Sequence, residues 1–223
     1  MNGRVSTGIP GLDKILNGGI PIGHTVLISG GPGTGKSLFC GEYIYSGAKE
    51  KEKGVYITLV EAEDKLREHL SSSFLWGDFD KMIDSGIFRI VKPKTYEITE
   101  LIDIIEENVR DGVKRIAIDS LSVLRLGIKD EFEYRQLIQE FLTLLSGLSC
   151  TTMITYEIPY LEPNNRSFND EEFVVDGLIY LYNILGGKNK TRKRYLEVLK
   201  LRGSDYQPGL FSYEITTKGI IVG

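Results

Sequence analysis

The segment "LISGGPGTGKS", residues 27 to 37, constrains this chain more than any other stretch. An apolar run feeds eight residues of which four are glycine, at 30, 31, 33 and 35, and the loop ends on Lys36 and Ser37. The order fits Gly-x-x-x-x-Gly-Lys-Ser, and its setting gives the pattern meaning. It follows a short strand, "TVLIS" at 25 to 29, and opens a helix near Gly35 that carries Leu38, Phe39, Tyr43 and Ile44. Glycines at 31, 33 and 35 allow backbone N–H groups to converge on phosphate oxygens, with Pro32 and Thr34 completing the cradle and Leu38 just beyond it. Lys36 adds a mobile positive charge, and the helix N-terminus favours a bound anion. Ser37 is expected to hold Mg2+ through its hydroxyl.

The rest of the chain repeats the strand and helix alternation. Apolar strands are read at 55 to 60 ("VYITLV"), 87 to 91 ("IFRIV"), 115 to 120 ("RIAIDS") and 151 to 156 ("TTMITY"). Helices are read from about Asp64 to Ser73, from about Thr99 to Arg110, and over "YRQLIQEFLTLL", where Leu137, Ile138, Phe141, Leu142 and Leu145 share a face. Five strands alternating with helices predict an α/β fold with a mainly parallel central sheet covered on both faces. After Asp176 the period changes to 2, and turn-rich spacers separate "GLIYLYNIL", "RYLEVLKL", "LFSYEIT" and "GIIV". These read as antiparallel strands extending the same sheet. One domain of 223 residues is expected, with 1–24 as an N-terminal cap, 25–176 as the nucleotide-binding core and 177–223 as a β extension.

Charge and cysteine usage exclude several classes. The formal net charge is -4, so no overall basic field draws the chain onto a polyanion. Cys40 and Cys150 match neither a disulfide framework nor a thiolate metal site, and read as buried thiols. The opening residues lack the apolar segment of a secretory signal, and no run approaches 18 uncharged apolar residues; a cytoplasmic protein without a membrane span is expected.

Two acids complete the site as read from the residues. Asp119 ends "RIAID", where a carboxylate at the carboxyl edge of a parallel sheet reaches the metal; the alternative is an N-cap for the next turn. Glu61, leaving the second strand in "LVEAED", is the candidate to activate water beyond the terminal phosphate; the alternative is a solvated acid at a helix start.

Together with that loop, "VSTGIPGLDKILNGGIPIG", "GVYITLVEAEDKLREHL", "RIAIDSLSVL", "EEFVVDGLIYL", "LEVLKLRGSDYQPG" and "YEITTKGI" resemble, in order, the single-domain relatives of the cyanobacterial clock ATPase KaiC, within the RecA and RadA superfamily. The resemblance covers almost the whole chain and implies a RecA-like P-loop NTPase that assembles as a homo-oligomeric ring, often a hexamer, with ATP and Mg2+ held between subunits. It further implies that Lys200 and Arg202, in the "K-x-R-G" motif, reach the neighbour's terminal phosphate. From the residues alone they are equally a same-face pair on an exposed strand edge. Ile215 and Thr216 match a strand and turn bordering the neighbour's base and ribose, and Thr155 matches the polar position that senses the terminal phosphate, with Glu157 shortly after it. Arg194, in the basic run "KNKTRKR", is a candidate contact to a neighbouring subunit's nucleotide. Relatives carry two adjacent glutamates after the second strand, whereas here Val60 takes the first position and Glu61 the second.

Nucleic acid is disfavoured as a partner. The stretch "EIPYLEPNNRSFNDEEF" has Glu157, Glu162, Asp170, Glu171 and Glu172 against one basic residue, Arg166, although Tyr160 and Phe168 could stack on bases. The run with Lys188, Lys190, Arg192, Lys193 and Arg194 is the one basic patch that could bind a polyanion, and otherwise reads as a solvated hairpin. The clock protein's autokinase acceptors fall here at about Glu172 and Phe173, neither of which accepts a phosphoryl group. The expectation is therefore an ATP-binding, slowly hydrolysing homo-oligomer that signals nucleotide state to a protein partner. Two alternatives stay open: a non-catalytic ATP-responsive scaffold, and a regulator of DNA recombination or repair.

Overall fold

The computed structural model describes residues 3–128, 130–158, 163, 169–186 and 191–223. Tyr160, Glu162, Arg166, Ser167, Phe168, Lys188 and Lys190 lie outside the described residues.

A small ribbon of β1 (Arg4–Val5) with β2 (Ile20–Pro21) brackets helix α1 (Pro10–Ile15). Pro10 fits the first helical turn, where its missing N–H has no partner to lose. The alternating part runs β3 (Thr25–Gly30), α2 (Lys36–Lys49), β4 (Gly54–Thr58), α3 (Glu63–Ser73), α4 (Phe79–Asp84), β5 (Phe88–Val91), α5 (Ile98–Arg110) and β6 (Arg115–Asp119). A 3-10 turn at Leu121–Gly127 leads into α6 (Glu131–Gly147), β7 (Thr151–Glu157) and α7 (Asp170–Val174). The chain then closes with β8 (Gly177–Gly186), β9 (Thr191–Leu201), β10 (Phe211–Thr216) and β11 (Gly219–Val222).

Among the described residues β3 to β11 form one sheet in the order β11-β10-β9-β8-β3-β7-β6-β4-β5. Strands β3, β4, β6 and β7 are buried on both sides because alternate residues feed two separate cores. In β7, Met153 enters the core under α1 to α4, while Ile154 and Tyr156 enter the core under α5 and α6. Each fully buried Ile or Leu stabilises the layer by about 1.5–3 kcal/mol relative to exposure.

The direction of β8 differs from the sequence expectation. It runs parallel to β3, with Val26 opposite Gly177 and Gly30 opposite Leu181, and the antiparallel part begins only at β9. The stretch from β7 to β8, which includes α7, is long enough for a crossover, whereas β9 follows β8 closely in sequence and pairs with it antiparallel. The second core strand also stops early, at Thr58, whose hydroxyl accepts the Glu61 amide at 3.1 Å and turns the chain. The ribbon, α4, the 3-10 turn and α7 are all too short to carry a readable period.

One buried carboxylate ties the C-terminal hairpin to the phosphate-loop helix. Glu42 of α2 is buried, and its Oε2 accepts the Ile220 amide at 2.7 Å. Burial pushes its carboxyl up from 4.5 to about 7, and the Ile220 amide opposes the shift. The folded chain therefore keeps a proton that the unfolded chain has released, so Glu42's contribution is complete below about pH 4.5 and is lost as pH rises through 7. Glu42→Gln, which accepts the same amide and stays neutral, is expected to be more stable than wild type at pH 8 by about 1–3 kcal/mol and no more stable at pH 4.5. Denaturant titrations at the two pH values measure the difference; an equal difference at both removes Glu42 as its source.

Candidate functional site

The glycine loop leaves β3 at Gly30, which lies opposite Glu157 of β7 on one side and Leu181 of β8 on the other. Four of its carbonyls are held by protein donors. Lys36 Nζ donates to Gly30 O at 2.9 Å and Gly31 O at 3.1 Å, and Thr34 Oγ1 donates to Gly31 O at 2.9 Å. Arg194 Nε donates to Gly33 O at 3.3 Å, and Tyr213 Oη to Thr34 O at 2.6 Å. In a trans peptide the carbonyl and the following N–H point in opposite directions, so these bonds turn the amides of Gly31, Thr34 and Gly35 away from the protein. The loop therefore presents a concave set of donors, with the first turn of α2 behind it.

Lys36 is itself buried, and burial holds its ammonium below the ordinary lysine pKa. The charges of Glu157 and then Asp119 oppose that depression. Leu38 has its side chain in the core, and its amide donates to Gly35 O at 3.0 Å.

Asp119, at the end of β6, has both carboxylate oxygens oriented from within. Tyr56 Oη donates to Oδ2 at 2.6 Å and Thr155 Oγ1 to Oδ1 at 2.5 Å. Tyr56 Oη also reaches Ser37 O at 3.3 Å, which places the carboxylate beside the first turn of α2. A serine hydroxyl and a carboxylate are hard oxygen donors, the chemistry that suits Mg2+ with water filling the remaining positions. Thr155, expected at the terminal phosphate, has its hydroxyl on Asp119 instead.

Glu61 lies apart from this group. Its strand, β4, is three places from β3 in the sheet, and its Oε2 is 3.7 Å from His69 Nδ1 of α3. A shallow cleft there is lined by Val60, Lys65, Glu68 and Ser72 as well, and Val60 is half exposed. Lys92 Nζ holds the carbonyls of Val60 and Glu61 at 3.2 Å each.

Lys200 and Arg202 do not touch the loop of their own chain. Lys200 pairs with Leu178, three residues before Leu181 on β8, and so sits toward the opposite edge of the sheet from Gly30, about 10 Å back along the strand. Lys200 Nζ donates to Phe173 O at 2.8 Å, and Arg202 donates to Phe173 O at 2.9 Å and Val174 O at 2.8 Å. Both cations therefore cap the C-terminal carbonyls of α7. The same helix reaches the loop strand through Glu172, whose Oε1 accepts Ser29 Oγ at 3.0 Å.

Within the single chain, residues of β9 and β10 lie against the chain's own loop. Arg194 holds Gly33, and Ile215 packs against Gly35. Thr216 Oγ1 is committed to its own hairpin, donating to Gly219 O at 2.8 Å. Tyr213 was not singled out from the sequence, although period 2 puts it on the face of Ile215. The acidic stretch also needs correction. Glu171 and Glu172 are buried, the former bonded to Tyr134 Oη, so neither presents its charge to a groove.

Comparison with known proteins agrees with this geometry. The profile of the family described as "ATPase: KaiC" matches residues 5–223. A UPF0273 protein of Methanocaldococcus jannaschii is 37% identical over 240 residues, covering 98% of this chain and 96% of that protein. The circadian clock oscillator protein KaiC of Parathermosynechococcus lividus is 34% identical over 229 residues, 97% of this chain but 42% of the clock protein. The crystal structure of a KaiC-like protein from Pyrococcus horikoshii superposes with a TM-score of 0.87 at 35% identity, over 100% of both chains.

Gly35 tests the loop's packing. Its φ is 91°, and a Cβ there would sit 2.5 Å from Ile215 Cδ1. Gly35→Ala is expected to lower stability by about 1–2 kcal/mol from the left-handed backbone, with a further steric part. In a double-mutant cycle Ile215→Ala should give back that steric part, about 0.5 kcal/mol or more. Strict additivity in thermal unfolding would separate the two residues.

Proposed function

We propose, for a chain that belongs to the KaiC family of ATPases, that residues 30–37 bind the triphosphate of ATP with Mg2+ and that the chain hydrolyses it slowly. The observation that carries this reading is the engagement of four loop carbonyls by Lys36, Thr34, Arg194 and Tyr213, which leaves amides facing outward for phosphate oxygens. Lys36 is released from Gly30 and Gly31 to the β- and γ-phosphates as they enter. Ser37 and Asp119 would hold Mg2+, which supplies positive charge against the phosphate oxygens. The family pattern assigns water activation to Glu61, and Val60 beside it removes one of the two acids, consistent with slow turnover. Loss of a well-placed general base is worth roughly 10²- to 10⁴-fold.

Lys200 and Arg202 support a ring in which each chain completes its neighbour's site, because they point away from the loop of their own chain. Their cationic groups sit on α7 carbonyls, ready to exchange partners with a phosphate. Such an assembly would report nucleotide state to a protein partner. A non-catalytic, ATP-responsive scaffold is the second reading, favoured by Val60. Among the described residues no helix is long and apolar enough to cross a membrane.

Equilibrium dialysis with labelled ATP at millimolar magnesium tests the first claim. The wild type is expected to bind and Lys36→Ala to bind at least about tenfold more weakly; equal uptake by both would remove the loop from the reading. Native mass with and without Mg-ATP tests the second. A homo-oligomer is expected with nucleotide, in which Lys200→Ala or Arg202→Ala lowers turnover about tenfold or more. A monomer in both conditions would remove the cross-subunit roles.

A further inference from the structure

We propose that the cleft between the outer face of α2 and the β10–β11 turn is a second ligand site, which takes a small zwitterion of the α-amino-acid class with an apolar side chain. The inference is independent of the ATP reading, because the cleft shares no residue with the phosphate loop.

The helix period builds one wall. Glu42, Tyr45, Ser46 and Lys49 stand at i, i+3, i+4 and i+7 and so share one face of α2. The remaining wall comes from Lys218, in the turn between β10 and β11, and from Leu75 and Trp76, between α3 and α4. The cleft has a volume of about 370 Å3, within the range of small-molecule sites. Two hydrogen bonds fix its walls: the Leu75 amide donates to Thr217 O at 2.7 Å, and the Ile220 amide to Glu42 Oε2 at 2.7 Å.

The chemistry left unused here is of both signs. Glu42 is only 7% exposed, and Ile220 occupies one of its two oxygens. Oε1 has no donor among the described residues, and since it is not sealed from solvent it opens on the cleft that Glu42 lines. Lys49, Glu50 and Lys218 also line the cleft, and none of them pairs with an opposite charge among the described residues. Lys49 Nζ lies instead 5.7 Å from the centre of the Tyr45 ring. Leu75 is exposed, and Trp76 beside it stacks on Tyr45 with ring centroids 4.0 Å apart.

Each part of an apolar amino acid finds a partner in this set. Its ammonium supplies the donor that Glu42 Oε1 lacks, next to aromatic rings whose faces attract cations. Its carboxylate goes to Lys218 and Lys49. Lys49 starts about 10 Å along the helix from Glu42, a gap its flexible stem shortens. The apolar side chain covers Leu75. A simple anion would leave Glu42 without a donor, and a simple amine would leave both lysines without an acceptor.

Proton linkage follows from the same placement. Burial pushes the Glu42 carboxyl up to about 7, and a ligand ammonium favours the ionised form, so binding releases a proton near neutral pH. The other charged groups facing Glu42 are Lys49 and Glu50 of α2 and Lys218 of the turn; the segments at Gly8 and at Leu75 and Trp76 bring none.

The experiment titrates the full chain with L-leucine and L-phenylalanine and follows the emission of Trp76, the single tryptophan. Saturable binding in the millimolar range or tighter is expected, strengthening about tenfold from pH 6 to 8. Phenylpropanoate, which lacks the ammonium, and phenethylamine, which lacks the carboxylate, should each bind about tenfold more weakly than phenylalanine. Glu42→Gln, which keeps an acceptor for the Ile220 amide, should weaken binding about tenfold at pH 8 and remove the pH dependence, which a merely structural role would not do. Lys218→Ala should weaken it about threefold. Phenylpropanoate binding as tightly as phenylalanine would make this an anion site and overturn the ligand class. No saturable change with either amino acid, unaltered binding in Glu42→Gln, or complete displacement by millimolar Mg-ATP would overturn the site itself.

Discussion

Parallel pairing of β3 between β7 and β8 is the constraint from which the site follows. It carries Gly30 to the carboxyl edge of the sheet with a neighbour on each side, so the loop after it springs from a strand that cannot shift. Strands buried on both faces must be apolar throughout, and Leu27 and Ile28, fully buried, meet that demand immediately before the loop. Rigid strand, mobile-looking loop sequence and rigid helix together let backbone amides be preorganised without side chains of their own. The loop's carbonyls are then held by groups from three places: Lys36 and Thr34 from the loop and helix, Arg194 from β9, and Tyr213 from β10. The C-terminal strands thus act as the loop's back wall.

Burial of charge at the same edge has an electrostatic logic. A lysine ammonium away from water is costly, and here two carbonyls, with the charges of Glu157 and Asp119, compensate it. Asp119 is in turn oriented by Tyr56 and Thr155, which leaves its charge directed at the first turn of α2. Groups that compensate one another are groups that can exchange partners when a polyanion and a divalent cation arrive.

Helix α7 joins the two ends of this arrangement. Its buried Glu172 bonds Ser29 on the loop strand and also completes the cap at Asn169. Its last carbonyls bind Lys200 and Arg202. One short helix therefore contacts both the strand that carries the phosphate loop and the two cations that point away from it. Glu172 is held by both bonds, and neither it nor Phe173 carries a hydroxyl that could take a phosphoryl group.

The sequence by itself determined the glycine loop with Ser37 at its end, the strand that ends on Asp119, the longer alternating strands and helices and the family, because each depends on chemistry local to a few residues. Phosphate cradling needs glycines and a lysine in one continuous stretch, and a buried strand announces itself by five or six apolar residues in a row. The direction of β8, the placing of Arg194, Ile215 and Tyr213 on the chain's own loop, the burial of Glu171 and Glu172 and the separation of Glu61 from Lys36 were decided only by the tertiary structure. Those features depend on which strands become neighbours and which face each residue turns to its partner, and pairing across a sheet joins residues as far apart as Gly33 and Arg194, whose contact leaves no trace in the order of either segment.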